Sequence, residues 1–234
     1  MSDGQTFKNI SYSVQNLVTE IEIGSIALPD LQRPFVWKNK QVRDLFDSLY
    51  KGLPTGFIIL WKIKHEGGYK PIGIINTSTT PDRLVIDGQQ RLTSLFSVFN
   101  GTPVLNNNFK EIKPKIAFNP LTEEFNVLNS SIEKSPEWIN YISEVYKGKS
   151  YHFITNFITN LKEKHPNLEF SEETISDNIT KLYEIKHYTF SVLELSSNLT
   201  PEQVSEIFVR INIQGNPLNQ SDVILTLMSL YWDE

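Results

Sequence analysis

Cysteine is absent from all 234 residues. That gap excludes a disulfide scaffold, a thiolate-ligated zinc or iron–sulfur site and a cysteine nucleophile. The N-terminal MSDGQTFKNISYSVQ has no basic segment leading into an apolar one, so no secretory signal is read there. Long apolar runs are missing too. The most hydrophobic stretch, Gly56-Phe57-Ile58-Ile59-Leu60-Trp61, falls far short of the roughly 20 residues that span a bilayer. No G-x-S-x-G elbow exists for a hydrolase triad. His65, His152, His165 and His187 lack the spacing of a zinc site. Gly148-Lys149-Ser150 looks like the tail of a P-loop, but Ser143 stands where its first glycine belongs. Internal repeats and low-complexity linkers are absent as well.

What is present suits a folded protein. With 39% hydrophobic and 12% aromatic residues, the chain can bury a sizeable core as one large domain or two small ones. The expectation is a soluble cytoplasmic protein without a membrane segment. The net charge of −5 is uneven: residues 1–117 carry 14 Lys+Arg against 10 Asp+Glu, and residues 118–234 carry 8 against 17. An acidic total argues against a protein whose main task is wrapping nucleic acid. The mildly basic first half can still hold a small polyanion such as a nucleotide. Acidic, solvated helix faces account for the second half.

Val14, Leu17, Val18 and Ile21 repeat at helical spacing up to a stop at Gly24. Ile26–Pro29 reads as extended, and Asn39 as the cap of a helix with the stripe Val42, Leu45, Phe46 and Leu49, ended by Gly52. Phe57–Ile63 and Leu84–Ile86 are strand-like, and Lys115–Phe118 with Glu124–Leu128 reads as a hairpin. From Pro136 to His187 the spacing predicts mostly helix, with stripes such as Trp138, Ile142 and Val145, then Ile175, Ile179 and Leu182. A strand over Tyr188–Leu195 follows. Thr200-Pro201-Glu202-Gln203 is a capping box opening the next helix, and a last helix is expected from Gln220 to Trp232. The fold class is mixed α/β. Its expected divisions are a core over 1–130, a helical insertion over 131–187, and a strand and two helices over 188–234 that return to the core.

The most informative local pattern is strand, glycine turn, helix. Asp87-Gly88 follows Leu84-Val85-Ile86, and Leu92, Leu95, Phe96 and Phe99 then mark a helix closed by Asn100-Gly101. Glycine at such a junction lets the backbone approach a ligand, and the helix start favours an anion. Arg91 adds a planar, permanent cation matched to phosphate oxygens. Asp87 can hold a divalent cation or orient water, while Gln89 and Gln90 offer neutral hydrogen bonds. The same residues also make a tight turn in which Arg91 merely pairs with Asp87 or a core carboxylate. Upstream, Pro34 forces Arg33 into an extended conformation, so that Gln32 and Arg33 can reach a phosphate, while Phe35 and Trp37 read as core. Read alone, Phe208–Asp222 is a helix–loop–helix without chemistry.

Three blocks in order resemble a known family. Gln32-Arg33 with Trp37, Asp87-Gly88-Gln89-Gln90-Arg91 followed by Leu92-Thr93, and Phe208-x3-Asn212-x2-Gly215-x2-Leu218-x3-Asp222 are similar to the N-terminal domain of GmrSD-type, modification-dependent (type IV) restriction proteins. The resemblance implies a ParB/sulfiredoxin-like nucleotide-binding core with an inserted helical region. It implies binding and hydrolysis of a nucleoside triphosphate with Mg²⁺ or a similar divalent cation, coupled to phage defence. It carries catalytic roles to Asp87, Gln90 and Arg91, with the metal on Asp87, and nucleotide contacts to Gln32, Arg33, Gly88, Gln89, Thr93 and Asn212. Gly215 and Asp222 transfer as residues that shape the site.

Relatives of this kind carry an HNH-type nuclease half whose metal hairpin needs a histidine. Nothing after Asp222 supplies one, so the expectation is the sensor half alone, without nuclease activity. The expected partners are a nucleoside triphosphate, modified DNA, an HNH-type nuclease domain or subunit and a second copy of the chain. The alternative is a non-enzymatic module that binds DNA or a partner, its Asp87–Arg91 box clamping the DNA backbone. Sulfiredoxin-like phosphotransfer is disfavoured by the missing thiol.

Overall fold

A computed structural model describes residues 5–29, 35–64, 69–70, 72, 80–106, 108 and 110–212, with Pro29, Tyr69, Lys70 and Asn212 as backbone only. The readings on Gln32, Arg33, Gly215, Leu218, Asp222 and the final helix fall outside the described residues.

Strand β1 (Phe7–Ser13) runs directly into α1 (Val14–Glu22), and Ser13 Oγ caps that helix by accepting from the Asn16 N–H. The stripe Val14, Leu17, Val18 and Ile21 is buried, and Gly24 at φ +81° turns the chain toward β2 (Ile26–Pro29). Helix α2 (Asn39–Tyr50) buries its expected stripe. Its cap is Lys38, not Asn39. Asn39 is the first helical residue, and its Oδ1 accepts from the Lys115 N–H at 3.1 Å, so its side chain serves a tertiary contact instead.

Then come β3 (Ile58–Lys62), β4 (Tyr69–Lys70), β5 (Arg83–Asp87), α3 (Gln89–Asn100), β6 (Val104–Leu105), β7 (Glu111–Ile112), β8 (Ile116–Asn119) and β9 (Glu124–Val127). The chain continues through α4 (Ser130–Lys134), α5 (Ser150–Lys164), α6 (Glu172–Tyr183), β10 (Thr189–Leu195) and α7 (Pro201–Asn212). The stripe Trp138, Ile142 and Val145 is not one helix. Ile139 bridges to Phe118, and only Ile142–Tyr146 coils, as a 3₁₀ turn. The capping box at α7 forms both ways, with Thr200 N–H donating to Gln203 Oε1 at 2.9 Å and Gln203 N–H donating to Thr200 Oγ1 at 3.4 Å.

The architecture is mixed α/β. Six strands form one sheet in the order β1-β10-β3-β5-β2-β4. The pairs β10–β3 and β2–β5 are parallel, and β1–β10, β3–β5 and β2–β4 are antiparallel. One face packs against α1, α2 and α3 in a hydrophobic cluster that also takes in Phe157 and Leu161 of α5 and Ile175 and Ile179 of α6. On the other face Ile59, Trp61, Ile86 and Leu195 meet Val204 and Phe208 of α7. Strands β3 and β5, central and covered on both faces, therefore read as unbroken apolar runs. Each fully buried large side chain such as Phe96 or Leu92 contributes about 1.5–3 kcal/mol. That rigid centre positions Asp87, the last residue of β5.

Candidate functional site

Strand β5 ends at Asp87, and Gly88 reverses the chain into α3 at φ +92°. A side chain at Gly88 would suffer twice. The left-handed backbone disfavours it, and a Cβ would sit 3.0 Å from Ile58 Cγ1. Since glycine caps α3 without a side chain and its first turn holds no acid, the positive end of the helix dipole stays unneutralised by the helix's own residues.

Arg91, one turn into α3, folds back over this junction. Its Nη2 donates to Asp87 Oδ2 at 3.1 Å, and its Nη1 donates to the Thr55 carbonyl at 2.8 Å. The guanidinium occupies the space that a Cβ on Gly56 would need, since that atom would lie 2.6 Å from Nη1. Arg91 is 15% exposed and Asp87 29%. Two of five guanidinium N–H groups are thus fixed. The remaining three, and Asp87 Oδ1, have no partner among the described residues. The pairing of Arg91 with Asp87, one of the two readings the sequence left open, is present. It orients the arginine without exhausting it.

Gln90 faces a different neighbour. Its Oε1 accepts from the Val36 N–H at 2.9 Å and the Trp37 N–H at 3.3 Å. The strap from Phe35 to Lys38 is held on its other side by Phe35 N–H donating to the Leu105 carbonyl at 3.2 Å. Phe35 is buried and Trp37 packs against the main core, as the sequence reading of the aromatics expected. The strap brings the chain that follows Arg33 to the start of α3.

Thr93 is 5% exposed, and its Oγ1 has no hydrogen-bond partner among the described residues. Neighbouring hydroxyls are satisfied: Ser94 Oγ donates to the Gln90 carbonyl at 2.7 Å, and Ser97 Oγ to the Thr102 carbonyl at 2.6 Å. A buried unpaired hydroxyl costs about 1–3 kcal/mol, which makes Thr93 the odd member of this polar row. Gln89 opens α3, and Asn212 is described only as the last backbone position of α7.

The structure therefore brings together Asp87, Gly88, Gln90 and Arg91, and adds Thr55 and Gly56, which sequence reasoning missed. Pro54-Thr55-Gly56 reads as an ordinary strand entrance, and only the fold reveals that Gly56 makes room for Arg91. Among the described residues no group of three or more His, Cys, Asp or Glu gathers as a metal cage.

Residues 14–229 match the family described as the GmrSD restriction endonuclease, N-terminal domain. The chain belongs to this family. An uncharacterized protein of Methanocaldococcus jannaschii is 30% identical over 253 residues, an alignment that takes in 92% of this chain and 42% of that relative. The chain thus spans less than half the length of the relative it matches. In this GmrSD N-terminal domain the matched region contains α1, β5, Gly88, α3 and the strap. Family membership identifies it as a module of a restriction system, and among the described residues no helix is long and apolar enough to cross a membrane.

Proposed function

We propose that this domain is the nucleotide-binding sensor of a phage-defence restriction system, and that it hydrolyses a nucleoside triphosphate at the junction of β5, Gly88 and α3. The observation that carries the reading is the oriented arginine. A helix start without an acidic cap faces a guanidinium whose direction is set by a carboxylate and a main-chain carbonyl, and which lies against Gly88 and against Gly56, where a side chain would displace it.

In this reading water attacks the terminal phosphorus, the bond to the bridging oxygen breaks, and nucleoside diphosphate and inorganic phosphate leave. Arg91 neutralises charge developing on the phosphoryl oxygens. Asp87 orients the attacking water, the main chain at Gly88 meets the phosphates, and the Thr93 hydroxyl provides a buried contact. Gln90 is a positioning residue, because its oxygen is engaged in holding the Phe35–Lys38 strap.

A divalent cation fits this donor set as a partner of the nucleotide and not as a resident ion. Asp87 offers one carboxylate oxygen beyond its bond to Arg91, and magnesium typically binds through one or two carboxylates plus substrate phosphates. When bound, such an ion supplies neutralisation of phosphate charge. An HNH-type nuclease domain or subunit would act on the state this domain reports, with modified DNA as the target of the system.

Equilibrium binding of each nucleoside triphosphate in Mg²⁺, to wild type and to Arg91→Ala, tests the reading. Saturable binding that the variant weakens by tenfold or more supports it, since about 1.4 kcal/mol corresponds to that factor. Absence of binding by the wild type contradicts it.

A further inference from the structure

The strap held by Gln90 forms one wall of a groove that the nucleotide reading leaves unused. Phe35–Asn39 line one side, and Asn106, Asn108 and the segment Glu111–Lys115 the other, around a cavity of about 630 Å³. The walls are pinned to each other where Lys115 N–H donates to Asn39 Oδ1. Exposed Lys38, Lys113 and Lys115 line it against a single acid, Glu111.

A second groove of this molecule shows why that matters. Between α2, the β8–β9 hairpin and α6 lies a cavity of about 660 Å³, also lined by three cations. There every cation is paired within the protein: Arg43 with Asp44, Lys51 with Asp47 and Lys181 with Glu123. In the strap groove none of the three ammonium groups pairs with a described carboxylate. One groove is neutralised from within. The other presents an uncompensated positive lining on a chain of net charge −5.

We infer that the strap groove takes the phosphodiester backbone of a nucleic-acid strand. Spaced ammonium groups attract phosphates, the amide N–H groups of Asn39 and Asn106, whose oxygens are already engaged, and the Asn108 amide offer neutral hydrogen bonds, and the half-buried Trp37 supplies a flat apolar wall. An acidic peptide would satisfy the lysines but brings no base to stack on the indole. This groove shares no lining residue with the Asp87–Arg91 turn, and the inference stands whether or not a nucleotide binds there.

Anisotropy of a fluorescein-labelled oligonucleotide, single-stranded and as a duplex, is measured with the full chain in the absence of nucleotide across a salt series. Binding is expected, and replacing Lys38, Lys113 and Lys115 by alanine should weaken it about tenfold or more at low salt. The same change should reduce the slope of log affinity against log salt by about 2–3. Glu111→Gln should tighten binding, a change in the opposite direction that no loss of folding imitates. Two results overturn the inference: equal weakening when Lys134, Lys149 and Lys164 are replaced instead, or displacement of the oligonucleotide by polyglutamate at matched charge, which would assign the groove to an acidic protein.

Discussion

Gly56 and Gly88 lie in different loops yet accommodate one guanidinium, since a Cβ on either would lie within 3.5 Å of an Arg91 nitrogen. Gly56→Ala places a methyl 2.6 Å from Nη1 at a φ of +85°. The backbone strain should lower stability by about 1–3 kcal/mol, or several degrees of Tm. Arg91, the flexible partner, should swing away from the Thr55 carbonyl, so nucleotide affinity falls further than the loss of stability explains. Thermal melts and nucleotide titrations on one preparation check both. Thr93→Val separates a structural hydroxyl from a ligand-facing one. Removing an unpaired buried hydroxyl while keeping its shape should leave Tm unchanged or raised, and should weaken nucleotide binding. A clear fall in Tm would mean that the hydroxyl has a partner in the folded protein.

Among the elements, the β8–β9 hairpin is held to the helices by Asn178 Nδ2 donating to the Pro120 carbonyl at 2.8 Å, by Tyr50 packing on Phe118 and Phe125, and by one carboxylate. Glu123, at φ +57° in the hairpin turn, accepts from Lys181 Nζ at 2.9 Å and Tyr50 Oη at 2.8 Å, and Lys181 lies 4.1 Å from the centre of the Tyr50 ring. The Lys181 and Tyr50 hydrogen bonds hold the Glu123 carboxyl below its ordinary pKa. Burial and the same carboxylate push the Tyr50 hydroxyl up. Because the folded-state pKa is lowered, the stabilisation is present above the unfolded carboxylate pKa of about 4.3 and is lost as pH falls through the folded value. Glu123→Gln should therefore lower Tm modestly at pH 7, within the roughly 0–1 kcal/mol of a surface pair, and flatten its acid-side decline. Melts from neutral to acidic pH measure this, and parallel curves for the two proteins would contradict it.

Which elements the sequence revealed follows from how they are buried. β3, β5 and the stripes of α1, α2 and α3 announce themselves because apolar spacing matches burial. Strand β1 does not, since it is an edge strand of mostly polar, exposed residues and contributes no apolar run. Around Trp138 the helical spacing misleads, because a bridge to Phe118 and a 3₁₀ turn satisfy the same periodicity. The turn Asp87-Gly88 and Arg91 was legible, being local. The grip of Gln90 on Val36 and Trp37 was not, because the partners are 54 and 53 residues apart.

Taken as a whole molecule, the sheet carries charge at both ends of β5 for different ends. At its start Arg83 joins Glu20, Asp82 and the buried Glu194, which also pairs with Lys62. Burial works against that guanidinium, but the surrounding acids and Tyr12 outweigh it and raise its pKa. In this cluster both cations are paired within the protein, and it ties β3, β5 and β10 together. At the other end, Asp87 and Arg91 meet a helix start that lacks an acid of its own, and Arg91 retains donors to spare. In the proposed reading the first end is structural and the second is where the chemistry takes place. Phosphate release from nucleoside triphosphates in Mg²⁺, compared between wild type and Arg91→Ala, tests this most directly. Saturable release by the wild type is expected, reduced about 10²–10³-fold in a variant that melts as a folded protein. No release by the wild type, or equal release by both, would contradict it.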